Sequence, residues 1–191
     1  MANNARTKLL DGLAITVATK GYSATTIADI VAHAHVSRRT FYEHFADKEE
    51  CLLACHHEFS TALVDTLTEA SLKGETSEER IINTVTTLLA TLQAQPAHTK
   101  THFMEMQAAG AEARQARRQT QRSLSDLLQQ LSQRGSERNP HLTPLALPTA
   151  TAIVGGISEL ILEAAEADAL PSLSELHPTI TGLITAVLIR A

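Results

Sequence analysis

The sequence is poor in the residues that mark several classes of protein. Its 191 residues include two cysteines, two tyrosines, four phenylalanines and no tryptophan. Two cysteines are too few for the disulfide framework of a small secreted domain, and so few aromatic side chains argue against an aromatic cage for a flat cation. No apolar run approaches the roughly 18 residues of a membrane span, and residues 1–6 lack the pattern of a signal peptide. We therefore expect a cytoplasmic protein without membrane association.

The motifs of common enzyme classes are also missing. The sequence contains no Gly-x-Ser-x-Gly elbow, no phosphate-binding glycine loop and no zinc-protease helix. Its Gly155-Gly156 pair lies within a helical pattern and does not follow a strand. We predict that the chain is not an enzyme and that it uses neither a metal nor a cofactor.

Charge is distributed unevenly along the chain. The net charge is −5, from 16 Lys and Arg against 21 Asp and Glu. Residues 1–48 hold six basic and four acidic side chains, a balance of +2, and the remainder holds 10 and 17, a balance of −7. Since a nucleic-acid site needs positive charge only locally, the acidic average does not exclude one in the N-terminal region.

The strong hydrophobic patterns have the period of an α-helix and no segment alternates like a strand, so the sequence predicts an all-α fold. A helix from about residue 6 to 20 is predicted to stop at Gly21 in a left-handed conformation. Three N-cap signals follow, at Thr26, Ser37 and Asp47, the first and last with an acidic partner three residues on. They delimit two short helices joined by a turn of about three residues, which is the helix-turn-helix pattern.

The two short helices have separate inward and outward sides. The apolar positions predicted to face inward are Ile27, Ala28, Ile30, Val31, Val36, Phe41 and Phe45. The positions that face outward, or lie at the start of the second helix, are Arg38, Arg39, Thr40, Tyr42 and His44. Guanidinium groups suit guanine edges and phosphates, and hydroxyls suit phosphates. The outward set favours DNA binding, and a solvated helix face is the alternative.

Residues 22–54, YSATTIADIVAHAHVSRRTFYEHFADKEECLLA, resemble the signature of the tetracycline-repressor (TetR) family. The matching elements are the aromatic residue after a glycine, Thr-Ile-Ala, Val-Ser, Thr-Phe-Tyr-x-His-Phe and Lys-Glu-x-x-Leu. The resemblance implies an N-terminal three-helix helix-turn-helix DNA-binding domain, residues 1–47. A larger helical ligand-binding and dimerisation domain, residues 48–191, would follow it, with about nine helices in the whole chain.

The resemblance also assigns roles to individual side chains. Thr26 would cap the second helix and touch a phosphate, and Lys48 would meet a phosphate at the start of the fourth helix. The complete set assigned to DNA is Thr26, Ser37, Arg38, Arg39, Thr40, Tyr42, His44 and Lys48. The chain departs from the family in the turn, where His35 stands in place of the usual glycine. Because a left-handed backbone is less favourable for histidine than for glycine, we expect slight strain there.

The last two helices are predicted at about residues 145–167 and 176–189, after a polar loop at 135–144. The final helix is apolar most of the way round, which requires burial on more than one side. The resemblance implies that these two helices form a four-helix interface in a homodimer, and a purely internal pair is the alternative. The predicted interface residues are Ile153, Gly156, Ile157, Leu160, Ile180, Leu183, Ile184 and Val187.

The middle helices are expected to enclose an apolar effector cavity. Family position suggests the lining residues Phe59, Leu63, Val85, Leu89, Phe103, Met106, Leu124 and Leu128, each of which could instead be plain core. Glu105 could recognise a cation or hydroxyl of the effector, and a structural ion pair or simple exposure is the alternative. Cys51 and Cys55 lie four residues apart and could serve a metal or redox sensor, although such cysteines commonly act as small apolar side chains.

Together these patterns predict a homodimeric transcription regulator, a repressor, whose partner is a near-palindromic double-stranded DNA operator. A small apolar or amphipathic effector of unknown identity would release it from DNA. Two alternatives stay open. One is a metal- or redox-sensing regulator that uses Cys51 and Cys55, and the other is a ligand-binding helical protein whose DNA binding is impaired by His35.

Overall fold

The computed structural model describes residues 2–188, and within this range it contains nine α-helices and no strand. The sixth helix, α6, runs without a break through Pro96–Lys100, the π-helical stretch Thr101–Glu105, and Met106–Ala108. A 3₁₀ stretch, Leu170–Leu176, leads into the last helix. The other helices are α1 Ala2–Lys20, α2 Ile27–Ala34, α3 Arg38–His44, α4 Lys48–Ala70, α5 Ser77–Ala94, α7 Ala111–Arg138, α8 Leu147–Glu166 and α9 His177–Leu188. The predicted all-α fold of about nine helices is confirmed.

The chain folds into two compact units. Unit 1 comprises Met1–Ser60 and Gln95–Arg118, and unit 2 comprises Thr61–Ala94 and Gln119–Ala191. Helices α4 and α7 each contribute residues to both units. The functional boundary predicted after residue 47 does not coincide with a border between these units, because the start of α4 shares the apolar core of α1–α3.

The core of unit 1 joins the first three helices to parts of α4, α6 and α7. Leu13, Phe41, Leu52 and Met106 are completely buried in it. Helices α1 and α2 approach so closely at Gly12 that an added Cβ would lie 2.8 Å from the carbonyl oxygen of Ile30. The core therefore fixes the positions of α2 and α3, which form the helix-turn-helix.

Most inward positions predicted for the helix-turn-helix are confirmed. Ile30, Val31, Phe41 and Phe45 are buried, and Ile27 and Val36 are half-buried against the same core. The prediction for Ala28 is wrong: it lies in the first turn of α2 and is exposed, because the helical rotation of about 100° per residue places it roughly opposite the buried Ile30.

The predicted helix ends of unit 1 are confirmed by their hydrogen bonds. Gly21 has a φ of 80°. The Thr26 hydroxyl accepts from the backbone N–H of Asp29, whose carboxylate accepts from the N–H of Thr26 at 2.8 Å. The Ser37 hydroxyl accepts from Thr40 N–H at 3.0 Å, and the Asp47 carboxylate accepts from the N–H three residues on at 2.9 Å. These caps set where each short helix begins.

The polar loop predicted at 135–144 is only partly correct. Helix α7 continues through Gly135 to Arg138 and stops before Asn139-Pro140, since the residue before a proline disfavours helical backbone. Leu142 is buried in the shortened loop, although the polar composition suggested exposure. Position 189, the predicted end of the last helix, lies outside the described residues.

Unit 2 is built on α5, α8, α9 and the 3₁₀ stretch. The Gln93 side chain donates to the Pro171 carbonyl at 2.7 Å, and the Thr86 hydroxyl lies 3.1 Å from the His177 ring. Helix α8 is long and apolar enough to cross a membrane by length and composition alone, as a core or interface helix also can be. Only 22% of its most apolar window is buried, so much of its surface is not covered by this chain.

The predicted interface residues of α8 and α9 fall into two groups. Ile153, Ile180 and Ile184 are buried within the single chain and belong to the core of unit 2. The residues that are exposed or half-buried, and can still meet another surface, are Gly156, Ile157, Leu160, Leu183 and Val187.

A stack of histidine and phenylalanine rings lies in unit 1. The rings of His56 and His102 are parallel, with centroids 4.6 Å apart, and Phe59 lies 5.4 Å from His102. Burial, with smaller contributions from His56 and Arg117, lowers the pKa of His102 to about 3. Burial lowers the pKa of His56 to about 4. Both rings are therefore neutral at physiological pH.

The free energy of unfolding is expected to fall as the pH drops from about 6.5 towards 4. In that window the unfolded chain binds protons at both histidines and the folded chain does not, so each contributes a loss of about 1.4 kcal/mol per pH unit. Urea denaturation at several pH values measures this slope. His102→Phe is expected to reduce the slope by about 1.4 kcal/mol per pH unit, the contribution of one histidine, whereas His57→Gln, a change at the exposed neighbour of His56, is expected to leave it intact. Equal slopes for His102→Phe and the unmodified protein contradict the assignment.

Candidate functional site

The turn between α2 and α3 is closed by His35 in a left-handed conformation. Its φ is 53° and its ψ is 43°, and its backbone N–H donates to the carbonyls of Ala32 and Val31. The next N–H, of Val36, also donates to the Val31 carbonyl, at 3.1 Å. These bonds satisfy the last carbonyls of α2. The histidine thus adopts the left-handed geometry predicted for it, and its side chain is exposed.

Helix α3 has one buried side and one exposed side. Phe41 is completely buried, and Phe45, directly after the helix, is 3% exposed. On the other side Tyr42 is 54% exposed, and its ring is nearly perpendicular to that of Phe41, with the ring centroids 5.5 Å apart. Arg38 and Arg39 are exposed beside it. The three side chains form one polar, cationic surface, which we call the α3 surface.

The other side chains predicted to bind DNA lie near the α3 surface in sequence. Ser37 and Thr26 are exposed at the starts of α3 and α2. Thr40, His44 and Lys48 are half-buried. The Arg39 guanidinium is 3.1 Å from the Glu43 carboxylate. Because this pair is well exposed, it is worth at most about 1 kcal/mol and does not prevent Arg39 from meeting another anion. Their contacts with DNA stay a prediction.

An acidic group at the start of α2 is neutralised by a lysine. The ammonium of Lys20 lies 2.5 Å from the carboxylate of Asp29. Hydrogen bonds from Lys20 and Thr26 hold the pKa of Asp29 well below its ordinary value. The Thr26 hydroxyl, predicted to touch a phosphate, already contacts this carboxylate at 2.5 Å.

Lys48 has an internal role that the sequence did not reveal. Its ammonium donates to the carbonyls of Tyr22 and Thr25, both at 2.8 Å, and lies 4.2 Å from the centre of the Tyr22 ring. The carboxylate of Glu105, in the π-helical stretch of α6, accepts from the Tyr22 N–H at 2.8 Å. We call this arrangement the Tyr22 clamp. It ties the turn between α1 and α2 to both α4 and α6.

The role of Glu105 in this structure is a hydrogen bond within the protein. Its carboxylate accepts from a backbone N–H, a contact that the sequence did not predict. No local pattern could have shown it, since Glu105 and Tyr22 are 83 positions apart.

Both cysteines are buried in the core of unit 1. Burial raises the pKa of the Cys55 thiol to about 12 and raises that of Cys51 as well. The Cys55 thiol donates to the carbonyl of Leu10 at 3.7 Å. Metal binding and redox chemistry need the thiolate, so these protonated thiols do not favour the sensor alternative. In the part of the chain that the structure describes, no group of three or more His, Cys, Asp or Glu could hold a metal ion.

The residues predicted to bind the effector are divided between the two units. Phe59, Phe103 and Met106 are buried in unit 1, and Leu63, Val85 and Leu89 are buried in unit 2. Leu124 and Leu128 are half-buried in unit 2. Unit 2 contains a cavity of about 350 Å³, and of these eight residues only Leu128 lines it.

Three arginines line the same cavity and were not predicted: Arg80, Arg134 and Arg138. The four-residue spacing of Arg134 and Arg138 places them on one side of α7, with Leu131 one turn earlier. The pattern was not recognised in the sequence because a loop was predicted from residue 135. It becomes visible only when the helix is extended to Arg138.

The comparisons with known proteins agree with this geometry. The family model for bacterial regulatory proteins of the tetR family matches residues 9–55, which span α1 from Leu9 to the first part of α4. The N-terminal region of the chain is therefore similar to the tetR family of bacterial regulatory proteins. The match contains the whole helix-turn-helix, the α3 surface and Lys48 of the Tyr22 clamp.

A curated protein of Bacillus subtilis (strain 168), the uncharacterized HTH-type transcriptional regulator YxbF, is 33% identical over 86 residues. That alignment covers 45% of this chain and 22% of the relative's length. The likeness is therefore limited to part of each protein.

Solved structures extend the likeness in fold to nearly the whole chain. The regulator FadR of Bacillus subtilis, in complex with stearoyl-CoA, has a TM-score of 0.82 at 18% identity, over 95% of this chain and 98% of that one. SmeT, the repressor of the multidrug efflux pump SmeDEF of Stenotrophomonas maltophilia, has a TM-score of 0.75 at 19% identity, over 97% and 90%. At such identities these structures show a shared fold.

His35→Gly is expected to stabilise the protein by about 1 kcal/mol, because glycine adopts the left-handed conformation without steric cost. For a chain of this size the melting temperature should rise by about 2–4 °C. Thermal melting followed by circular dichroism measures the change. Ala32→Gly, at an exposed position within α2, is the matched control and should lower the melting temperature. A lower melting temperature for His35→Gly contradicts strain at the turn.

Lys48→Met is expected to destabilise the protein by about 1–3 kcal/mol, since two carbonyls lose their partner. Chemical denaturation measures this loss, with Lys8→Met, a change at an exposed lysine of α1, as the control. Unchanged stability with weakened DNA affinity would instead indicate that Lys48 acts only on a phosphate, as the family resemblance implied.

Proposed function

We propose that this protein is a transcriptional repressor that binds a near-palindromic DNA operator as a homodimer and is released by a small apolar or amphipathic molecule. The observation that carries the proposal is the α3 surface, on which Arg38, Arg39 and Tyr42 are exposed. On the opposite side of the same helix, the ring of Phe41 is buried in the core of unit 1. A short, rigid helix with a cationic outer side suits the major groove of DNA.

The chemistry of the α3 surface matches base edges and phosphates. An arginine can donate two hydrogen bonds to the O6 and N7 of guanine, and a tyrosine hydroxyl can contact a phosphate oxygen. Residues 1–48 carry a balance of +2 in a chain whose net charge is −5. The charge that attracts DNA is therefore concentrated in the region that holds the helix-turn-helix.

A second copy of the chain is the proposed cover for α8 and α9. The exposed or half-buried residues Gly156, Leu160, Leu183 and Val187 give these helices an apolar surface that this chain leaves open. An apolar helix surface of this kind is stable in water when another subunit buries it. Two copies related by a two-fold axis present two recognition helices, which explains a near-palindromic operator.

Release from DNA requires a ligand that binds one conformation of the dimer better than another. Two proteins of the same fold support such a response. One is described as FadR in complex with stearoyl-CoA, and the other as the repressor of a multidrug efflux pump. By analogy, the helices that follow the helix-turn-helix bind an effector, and this binding shifts the population of the dimer away from the DNA-binding conformation.

Arg39→Ala and Tyr42→Ala are each expected to weaken specific DNA binding by about 1–3 kcal/mol, with the folded state intact. Fluorescence anisotropy with a duplex that the unmodified protein binds specifically measures the affinity. Arg114→Ala, a change at an exposed arginine of α7, is the control and should have no effect. If Arg39 meets a phosphate, its loss also reduces the slope of log K against log salt by about 1. If both variants bind the duplex with the affinity of the unmodified protein, the assignment of the α3 surface to DNA binding is wrong.

A further inference from the structure

The cavity of unit 2 has an apolar interior. Its walls come from the end of α4, the start of α5, the end of α7, the following loop and α9. The apolar residues that line it are Leu72, Ile81, Leu128, Leu131, Leu142, Ile184 and Leu188. A volume of about 350 Å³ falls within the range of small-molecule sites.

Several hydroxyl groups also line the cavity, but they already donate to backbone carbonyls three or four residues earlier in the chain. Ser71 donates to the Thr68 carbonyl at 2.6 Å, Thr84 to the Arg80 carbonyl at 2.7 Å, and Ser132 to the Gln129 carbonyl at 2.7 Å. These hydroxyl groups have therefore already used their hydrogen-bond donors. The arginines supply most of the donors in the cavity that a ligand can use.

The charge of the cavity is opposite to that of the chain. Three of the fifteen lining residues are arginines and none is acidic, although the chain has a net charge of −5. No ion pair found within residues 2–188 involves Arg80, Arg134 or Arg138. Arg134 and Arg138 are exposed, and Arg80 is half-buried. The cationic groups therefore lie at the solvent-facing part of an apolar cavity.

One of the three guanidinium groups is held in place. The Nε of Arg80 donates to the carbonyl of Gly74 at 3.0 Å. Gly74 has a φ of 122° in the turn between α4 and α5, a conformation that favours glycine. An arginine fixed through Nε keeps its outer nitrogens for an anion and loses less conformational entropy on binding.

We propose that this cavity binds an amphipathic acid, with an apolar chain among the leucines and a carboxylate or phosphate at the three arginines. The inference rests on the proposed function and gives its effector a chemical class. Arg80 already interacts with the charge of the Glu79 carboxylate, but a neutral apolar molecule would leave Arg134 and Arg138 without a counter-charge, and a cationic one would be repelled. A free fatty acid and a phosphate-bearing acyl ester share the required chemistry.

Gly135 is a position at which a larger side chain would fill part of the cavity. It lies within α7 and lines the cavity. A Cβ at this position would be 3.2 Å from Leu142 Cδ1 and 4.0 Å from the Ser77 hydroxyl, and both residues also line the cavity. A larger side chain here would occupy ligand space, while a helix-forming residue suits the backbone of α7 better than glycine does.

The test is calorimetric titration of the purified full chain, without DNA, using dodecanoate, dodecyl phosphate and dodecyltrimethylammonium below their micelle concentrations and dodecanol below its solubility limit. At least one of the two anions is expected to bind about tenfold or more tightly than dodecanol, since charge-assisted hydrogen bonds to arginine are strong. The ammonium compound should bind weakest. The stronger anion identifies the head group. Equal affinity for anions and alcohol, or preference for the ammonium compound, overturns the proposal.

Matched variants locate the site. The double variant Arg134→Gln/Arg138→Gln should reduce the anion's affinity to that of dodecanol, and Arg122→Gln, a change at another exposed arginine of α7, should not. Gly135→Leu should weaken anion and alcohol alike by about tenfold or more, with circular dichroism showing that the helices persist. Anion binding that survives both the double variant and Gly135→Leu places the ligand elsewhere and overturns the proposal.

This experiment is independent of DNA binding. A protein that binds the anion and no DNA retains the cavity proposal and loses the proposed regulator function. A protein that binds a specific duplex and no anion retains the regulator function and loses the proposed ligand class.

Discussion

The burial of Phe41 is the constraint on which the candidate DNA-binding surface depends. Helix α3 has only seven residues, too few to be stable in water alone, so tertiary packing must supply its stability. With Phe41 completely buried and Phe45 nearly so, the rotation of α3 about its axis is fixed. That rotation exposes Arg38, Arg39 and Tyr42 together. The core of unit 1 therefore determines both the fold of the helix-turn-helix and what it can recognise.

Two further devices fix the segments that lead into this helix. His35 ends α2 in a left-handed conformation that directs the chain into the cap at Ser37. The Tyr22 clamp holds the backbone before α2 through Lys48 of α4 and Glu105 of α6. Because both clamp residues come from outside α1–α3, a movement of α4 or α6 would change the support of the turn before α2. The clamp thus offers a physical link within unit 1 between the helices outside the helix-turn-helix and the helix-turn-helix itself.

The sequence revealed the parts of the molecule that depend on local chemistry. Caps at Thr26 and Ser37, the left-handed His35 and the burial of Phe41 all follow from residue type and helical spacing, and the structure confirms them. Contacts between distant positions could not be predicted from it, so the two carbonyls that the Lys48 ammonium binds were not foreseen, and the contact of Lys48 with a phosphate stays a prediction. The arginines of the cavity were missed because Gly135 suggested a loop where α7 continues. A glycine within a helix has no local signal that distinguishes it from a helix end.

Sequence-specific DNA binding by the α3 surface can be tested by selecting binding sites from random duplex DNA with the purified protein, at near-physiological salt. We expect recovery of one near-palindromic motif, since two copies of α3 related by two-fold symmetry should read two half-sites. Recovery of no motif, from protein shown to be folded and dimeric, would contradict the assignment of the α3 surface to DNA. The cavity of unit 2 would then be the place to look for the function of this protein.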